Sequence, residues 1–256
     1  MSLNVHPISA FEDNYIWSIH NQQYCVVVDP GDATPVIEYC NNEQLSLVAI
    51  LITHHHRDHT GGIDALLEAY PGIPVYGPQN PNIKQITHRL TEATDITLPH
   101  LNVNLLVMEV PGHTLDHIAY YGENSLFCGD TLFSAGCGRL FEGTPEQMYQ
   151  SLAKLNALPS KTKVYCTHEY TLANIKFAKA VEPDNEALVE YENWVIQERE
   201  DNLPSLPSTL EKERKINPFL RCNQETIVTR MSEHKGKPLD SDEAVFASLR
   251  HWKDNF

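Results

Sequence analysis

Thr53-His54-His55-His56-Arg57-Asp58-His59, followed by Gly61 and Gly62, is the stretch on which the reading of this chain turns. Just upstream, Leu47 to Ile52 is an apolar run rich in branched residues, the pattern of a buried strand. Side chains two apart on an extended segment point the same way, so His54 and His56 converge while His55 faces away. Asp58 and His59 fall on the turn beyond and aim differently. Four donors so close together, in two orientations, point to two adjacent metal ions. Neutral imidazoles with a carboxylate suit zinc, iron or manganese, and a cluster that keeps open positions is catalytic in type. A lone histidine is usually a satisfied core or surface residue; several interleaved with an aspartate at a strand end are a different matter. The run is internal, which argues against a purification tag. His55 and His59 have i, i+4 spacing, but no Glu follows His55, so a helical metalloprotease motif does not fit.

Composition narrows the setting. At 256 residues the chain can hold one sizeable core, or one domain with an appended subdomain. Apolar residues make up 41% and charged residues 21%, ordinary values for a soluble globular protein. The longest apolar runs, such as Val103 to Val110 interrupted by Asn104, fall short of a membrane span, so no membrane partner is expected. Met1 to Tyr15 carries Glu12 and Asp13 without a basic-then-apolar leader pattern, which predicts a cytoplasmic protein. The six cysteines (25, 40, 128, 137, 166 and 222) lack zinc-ribbon spacing and are expected to be reduced and mostly buried. A formal charge of −15 argues against nucleic acid as a partner.

Along the chain, short strands are expected at Val5 to Ile8, Asn14 to Ile19 and Tyr24 to Val28. Asp29-Pro30-Gly31-Asp32 is a turn signal opening a helix from Pro35 to Asn41. Asp29 either lies near the metal cluster or merely starts that turn. Ile63 to Tyr70 has helical periodicity, Pro74 to Gly77 reads as a strand, and Asn82 to Thr94 carries no clear signal. Leu101 to Val110 reads as a strand ending in Pro111-Gly112-His113-Thr114. Ile118 to Tyr121 and Ser125 to Cys128 predict a hairpin about Gly122-Glu123-Asn124, with Asp130 directly after it. Thr144 caps a helix from Pro145 to Leu155. Lys163 to Thr167 is a strand ending in His168-Glu169-Tyr170.

A strand followed by His or Asp therefore recurs four times, and such ends can meet along one sheet edge. His113, Asp130 and His168 are the natural completions of the cluster, with His117 competing for the place of His113. Beyond Leu172 the pattern turns helical: Ala173 to Val181, Asn185 to Glu200, Thr226 to His234 and Ser241 to Lys253. Leu203 to Pro218, with three prolines, reads as an extended connection. The domain boundary is expected between residues 172 and 173.

Thr53 to His59 resembles the T-H-x-H-x-D-H signature of the metallo-β-lactamase superfamily. Within it, Cys137-Gly138-Arg139-Leu140-Phe141-Glu142-Gly143-Thr144, Asn217-Pro218-Phe219-Leu220-Arg221 and Arg250-His251-Trp252-Lys253-Asp254-Asn255-Phe256 resemble the hydroxyacylglutathione hydrolase (glyoxalase II) family. The resemblance covers essentially the whole chain. It implies an α+β fold, a metallo-β-lactamase-like αββα sandwich (1–172) followed by a smaller all-helical substrate-binding domain (173–256). It implies a thioester hydrolase that converts S-(2-hydroxyacyl)glutathione, typically S-D-lactoylglutathione, to glutathione and a 2-hydroxy acid, as in methylglyoxal detoxification. The implied cofactors are two divalent ions, zinc first, with iron or manganese compatible. One would be held by His54, His56 and His113, the other by Asp58, His59 and His168, with Asp130 bridging. Asp58 and Asp130 would also orient the attacking hydroxide. The glutathione-recognising positions map onto Arg139, Phe141, Tyr170, Arg250 and Lys253, and a monomer is implied. Animal members carry Lys and Tyr where Arg139 and Phe141 stand; Arg139 keeps the charge, whereas Phe141 has no hydroxyl to donate. The competing expectations are a glutathione persulfide dioxygenase and a non-catalytic metal-binding module.

Overall fold

In the computed structural model, which describes residues 4–256, the chain divides into two compact units. One comprises the described residues up to Glu109 together with Asp116–Gly129; the other comprises Val110–Leu115 and Asp130–Phe256. Met1 to Leu3, the start of the stretch searched for a leader, lie outside the described residues.

The first unit is organised around β4 (Ser46–Leu51). This strand pairs in parallel with β3 (Tyr24–Val28) on one side and β5 (Val75–Pro78) on the other. A strand paired on both edges, with Leu47 and Ala49 to Leu51 buried, needs apolar side chains on both faces, hence the branched run after Ser46. Outward from β3 come β2 (Asn14–His20) and β1 (Asn4–Ala10), antiparallel; outward from β5 comes β6 (His88–Leu90). Helix α1 (Thr34–Asn42) follows β3, and α2 (Arg57–Thr60) and α3 (Ile63–Ala69) follow β4. Val36, Ile63 and Leu66 from α1 and α3 join Ile16, Val27, Ile50 and Ile52 in one buried cluster. At about 25 cal/mol per Å² of apolar surface buried, this burial is what orders the sheet.

Four further strands, β7 (Asp95–Leu98), β8 (Val103–Glu109), β9 (Ile118–Gly122) and β10 (Ser125–Gly129), run antiparallel in the order β10-β9-β8-β7. Glu123 and Asn124, both at positive φ, form the two-residue turn between β9 and β10 that a tight hairpin requires. The buried Tyr120 hydroxyl donates to the Ile52 carbonyl (2.8 Å), and Ile118 N–H donates to the Thr53 carbonyl (2.9 Å). Strand β9 thus pins the end of β4 where the histidine run begins. β6 and β7 were not foreseen; three or four residues are too short for alternation to stand out.

The second unit opens with a miniature hairpin, β11 (Leu132–Phe133) and β12 (Gly136–Cys137), and carries β13 (Lys163–Cys166) antiparallel to β14 (Ser208–Thr209). Its helices are α4 (Pro145–Asn156), α5 (Thr171–Val181), α6 (Glu186–Glu200), α7 (Leu210–Ile216), α8 (Glu225–Lys235) and α9 (Asp242–Asp254). Thr144 and Gln147 cap α4 reciprocally, with Pro145 at the first helical position. The expected extended connection over Leu203 to Pro218 is corrected: it holds β14 and α7. Thr209 Oγ1 accepts Lys212 N–H to start α7, acids fill its first turn and bases its last, and the prolines fall outside it. All six cysteines are buried free thiols. Among the described residues no helix is long and apolar enough to cross a membrane.

Candidate metal centre

In the first unit β4 delivers Thr53 and His54, fully buried, to the mouth of the sheet. As the two-residue period requires, His54 and His56 come together: His54 Nε2 lies 3.1 Å from His56 Nδ1. His55 turns away, its Nδ1 2.9 Å from Asp116 Oδ1, whose other oxygen accepts from the Asn80 amide. The chain then enters α2, which brings His59 back so that its ring centroid lies 4.1 Å from that of His54. Asp58, in the first turn, sits with Oδ2 3.4 Å from His59 Nε2 and accepts from the Asn14 amide. The backbone approaches closely here. A Cβ on Gly31 would stand 1.9 Å from the Asp58 carbonyl oxygen, so the turn after β3 must carry glycine.

The partner that sequence reasoning left open is Asp29. At the end of β3 and at φ +54, it is buried and accepts Thr53 N–H on Oδ1 (2.8 Å) and the Thr53 hydroxyl on Oδ2 (2.7 Å). Asp29 Oδ2 also lies 3.0 Å from His59 Nδ1. The Thr53 contacts fix the ring proton of His54. The Thr53 hydroxyl hydrogen goes to Asp29, so His54 Nδ1, 3.0 Å from Thr53 Oγ1, is the donor there. The His54 ring then carries its lone pair on Nε2.

The second unit assembles the other three expected donors. Asp130 directly follows β10, His113 stands in the turn after β8, and His168 follows β13; all are buried. Asp130 Oδ2 lies 3.4 Å from His113 Nε2, and Asp130 Oδ1 lies 3.3 Å from His168 Nε2. One imidazole thus faces each carboxylate oxygen. His113 Nδ1 donates to the Arg139 carbonyl (2.7 Å), which leaves its Nε2 lone pair directed at a carboxylate oxygen. His117, the alternative to His113, stacks on His54 in the first unit with ring centroids 4.6 Å apart.

At His113–Asp130 a lone pair faces a carboxylate oxygen across 3.4 Å, and His59 Nε2 stands at the same distance from Asp58 Oδ2. Neutral imidazole against carboxylate is repulsive unless a cation lies between them, so the donor set fits divalent metal. All donors are nitrogen or oxygen, the set that suits zinc, iron or manganese.

The five expected substrate positions lie in the second unit. Phe141 is 61% exposed and meets the His113 ring edge-on (centroids 5.2 Å), with the Arg139 guanidinium 5.6 Å from the Phe141 ring centroid. Tyr170, 38% exposed, stacks parallel on His168 (4.7 Å). Lys253 is half-buried on α9, its ammonium donating to Asn174 Oδ1. Desolvation first, then the Arg250 charge, lowers its pKa to about 8. Arg250 is only 5% exposed; its guanidinium donates to the carbonyls of Cys137 (2.9 Å) and Gly138 (3.4 Å) and to Asp254 (2.9 Å).

Comparison with known proteins places this geometry. Residues 12–168 match the family model described as the metallo-β-lactamase superfamily, a span that contains all seven expected metal donors, and residues 169–256 match the hydroxyacylglutathione hydrolase C-terminus. The hydroxyacylglutathione hydrolase of Nitrosomonas europaea is 53% identical over 254 residues, covering 99% of this chain and 97% of that one. Among solved structures, the BLEG-1 B3 metallo-β-lactamase is 26% identical at a TM-score of 0.63, covering 85% of this chain and 99% of that one. TTHA1623, solved in a di-iron-bound form, shares the fold at 24% identity and a TM-score of 0.59, covering 84% of this chain and all of that one. The fold is thus the metallo-β-lactamase fold followed by a helical C-terminal part, and neither competing expectation is favoured. The chain belongs to the hydroxyacylglutathione hydrolase family, hydrolases of the metallo-β-lactamase superfamily.

Proposed function

We propose that the two His/Asp clusters of this hydroxyacylglutathione hydrolase act as one dinuclear centre. His54, His56 and His113 hold one divalent ion, Asp58, His59 and His168 hold the other, and Asp130 is shared. The substrate is the thioester S-(2-hydroxyacyl)glutathione, S-D-lactoylglutathione above all, and the products are glutathione and a 2-hydroxy acid. The observation that carries this reading is Asp130, whose two oxygens each face an imidazole Nε2, at 3.4 and 3.3 Å, as a carboxylate shared between two cations would.

Bound there, such ions, zinc being the first choice, supply Lewis acidity and bring the pKa of bound water from about 15.7 toward about 7. The chain's own residues do the rest. Asp58 and Asp130 accept hydrogen bonds from the attacking water and orient it. Arg139 and Lys253 supply local cations to an anionic tripeptide that the overall charge of −15 repels, and the Arg250 charge adds to theirs. Phe141 and Tyr170 offer exposed ring faces to its apolar parts. The departing group is a thiol of ordinary pKa about 8.5, so no side chain need protonate it. Nor is a protein nucleophile needed: burial pushes the Cys137 thiol up, leaving it inert. The helical segment 173–256 serves as the substrate-binding domain, and the enzyme acts as a cytoplasmic monomer in methylglyoxal detoxification. Six buried thiols suit a reducing compartment.

The test is thiol release from S-D-lactoylglutathione with metal analysis on the same sample. Turnover with about two metal equivalents, lost on chelation and regained on adding zinc, is expected. Full activity in protein stripped of metal would refute the reading.

A further inference from the structure

The motif Asn217-Pro218-Phe219-Leu220-Arg221 plays no part in the chemistry above, yet Asn217 is completely buried. Its side-chain amide nitrogen lies within hydrogen-bonding distance of the Phe133 carbonyl (3.1 Å), the Gly136 carbonyl (2.9 Å) and Glu213 Oε2 (3.1 Å). Its side-chain oxygen accepts Phe219 N–H (3.1 Å). Glu213, one turn earlier on α7, is equally buried. Its Oε1 accepts from the hydroxyls of Ser134 (2.9 Å) and Ser208, and its Oε2 from Ala135 N–H (2.8 Å) and Asn217. Four donors meet the four lone-pair directions of an ionised carboxylate. Burial pushes the Glu213 pKa up, and those same donors oppose the rise.

All of this converges on the tip of the β11–β12 hairpin. Two residues per strand cannot hold themselves. Ala135, in the tip, sits at φ +54, a conformation that persists only where its surroundings impose it. Asn174 adds a third grip, donating to the Ser134 carbonyl (2.9 Å). The base of the same hairpin is the wall of the metal cluster. One leg leads back through Thr131 to Asp130; the other leads on through Gly138 to Arg139, whose carbonyl holds the His113 ring proton. The legs are tied by Gly138 N–H to the Thr131 carbonyl (3.2 Å), and a Cβ on Gly138 would stand 1.9 Å from the Asp130 carbonyl oxygen.

We propose that Glu213 and Asn217 are positioning residues for the metal centre: by clamping the hairpin tip they set the separation of Asp130 and His113 at its base. This rests on the reading of Asp130 and His113 as metal ligands. The C-terminal segment then tunes metal affinity from behind, in addition to any part it plays in holding substrate.

The experiment compares Glu213→Gln and Asn217→Ser with wild type, as zinc-loaded and cobalt-substituted full chains. Gln cannot accept Ala135 N–H and both hydroxyls as the carboxylate does. Ser keeps an oxygen for Phe219 N–H but loses the amide that holds Phe133 and Gly136. Expected are a roughly tenfold fall in metal affinity by chelator competition, the lower end of what outer ligand partners cost, and a shifted cobalt absorption band. kcat should fall while KM holds within about twofold. Affinity, cobalt spectrum and kcat at wild-type values, with only the melting temperature lowered, would overturn the proposal. Should Glu213→Gln fail to fold, Asn217→Ser alone decides. Asp130→Ala, measured beside them, separates the failures. If it keeps its metal, the ligand assignment is wrong; if it loses metal while the other two match wild type, only the clamp is wrong.

Discussion

In the first unit the four proposed metal donors come from His54 to His59, a single pass of strand, turn and short helix, with one carboxylate, Asp29, behind them on the neighbouring strand. In the second unit the other three proposed donors come from three separate strand ends. One of them, His113, is backed by the Arg139 carbonyl, just past a hairpin of two residues per strand that several buried side chains must hold in place. The first cluster is local and stiff; the second is long-range and depends on its supports. A local cluster loses function chiefly when its own residues change. A long-range one also loses it when distant scaffolding shifts, because each donor has its own route to displacement.

The largest effect that sharpens this contrast is expected at Asp130. Asp130→Ala removes the carboxylate that faces both His113 and His168 and so what the hairpin base presents to them. Activity should fall well beyond the ~100-fold that outer partners cost, with metal content reduced, as read by kcat/KM and elemental analysis. Normal metal content and near-normal turnover would show that the second cluster is no ligand set.

Asp29→Asn should come next, and its cause differs. An amide nitrogen placed 3.0 Å from His59 Nδ1, where a carboxylate oxygen now stands, favours a lone pair on that ring atom and so the proton on Nε2. A ring protonated on Nε2 cannot ligate through that atom, the same tautomer logic by which an Asp→Asn change disables a catalytic triad. Metal affinity at the site that uses His59 should drop by about 10- to 100-fold, with the fold intact because the side chain is isosteric. Equal loss of affinity on replacing Asp29 by Asn and by Ala would assign its role to packing rather than to proton placement.

These two aspartates also mark where sequence reading works and where it fails. His54, His56 and the turned-away His55 follow from the two-residue period of a strand, so three consecutive letters carry their geometry. Asp130, His113 and His168 were grouped because each follows a predicted strand, and the structure does bring Asp130 beside both histidines; the preference for His113 over His117 came from the family pattern. Asp29 was ambiguous because the Asp29-Pro30-Gly31 turn explains an aspartate equally well; only the pairing of β3 with β4 brings it to Thr53. The β11–β12 hairpin is too short to show any period. Glu213 was hidden for another reason: Glu211-Lys212-Glu213-Arg214-Lys215 has the letters of a solvated helix, and nothing local says that one of its five charges is buried. The prolines around it masked α7 altogether. Long-range burial of a polar group leaves no trace in its neighbours.

The smallest expected effect concerns substrate rather than metal, and it tests whether the contrast extends to binding, since all five expected substrate positions belong to the second unit. With its pKa lowered to about 8 from an ordinary 10.5, Lys253 loses its charge just above neutrality. If its ammonium holds a carboxylate of the glutathione moiety, KM should be flat below pH 8 and rise by up to about tenfold at pH 9, while kcat stays level. Unfolding cannot mimic this. A lysine whose folded pKa lies below its unfolded one leaves the unfolded chain binding more protons between pH 8 and 10.5, so its contribution to stability rises with pH across that window. Lys253→Arg, charged throughout, should abolish the break and keep KM low; Lys253→Ala should abolish it and keep KM high. A break at pH 8 that survives in Lys253→Ala would remove this residue from the substrate site and move the search for the titrating group elsewhere in the second unit.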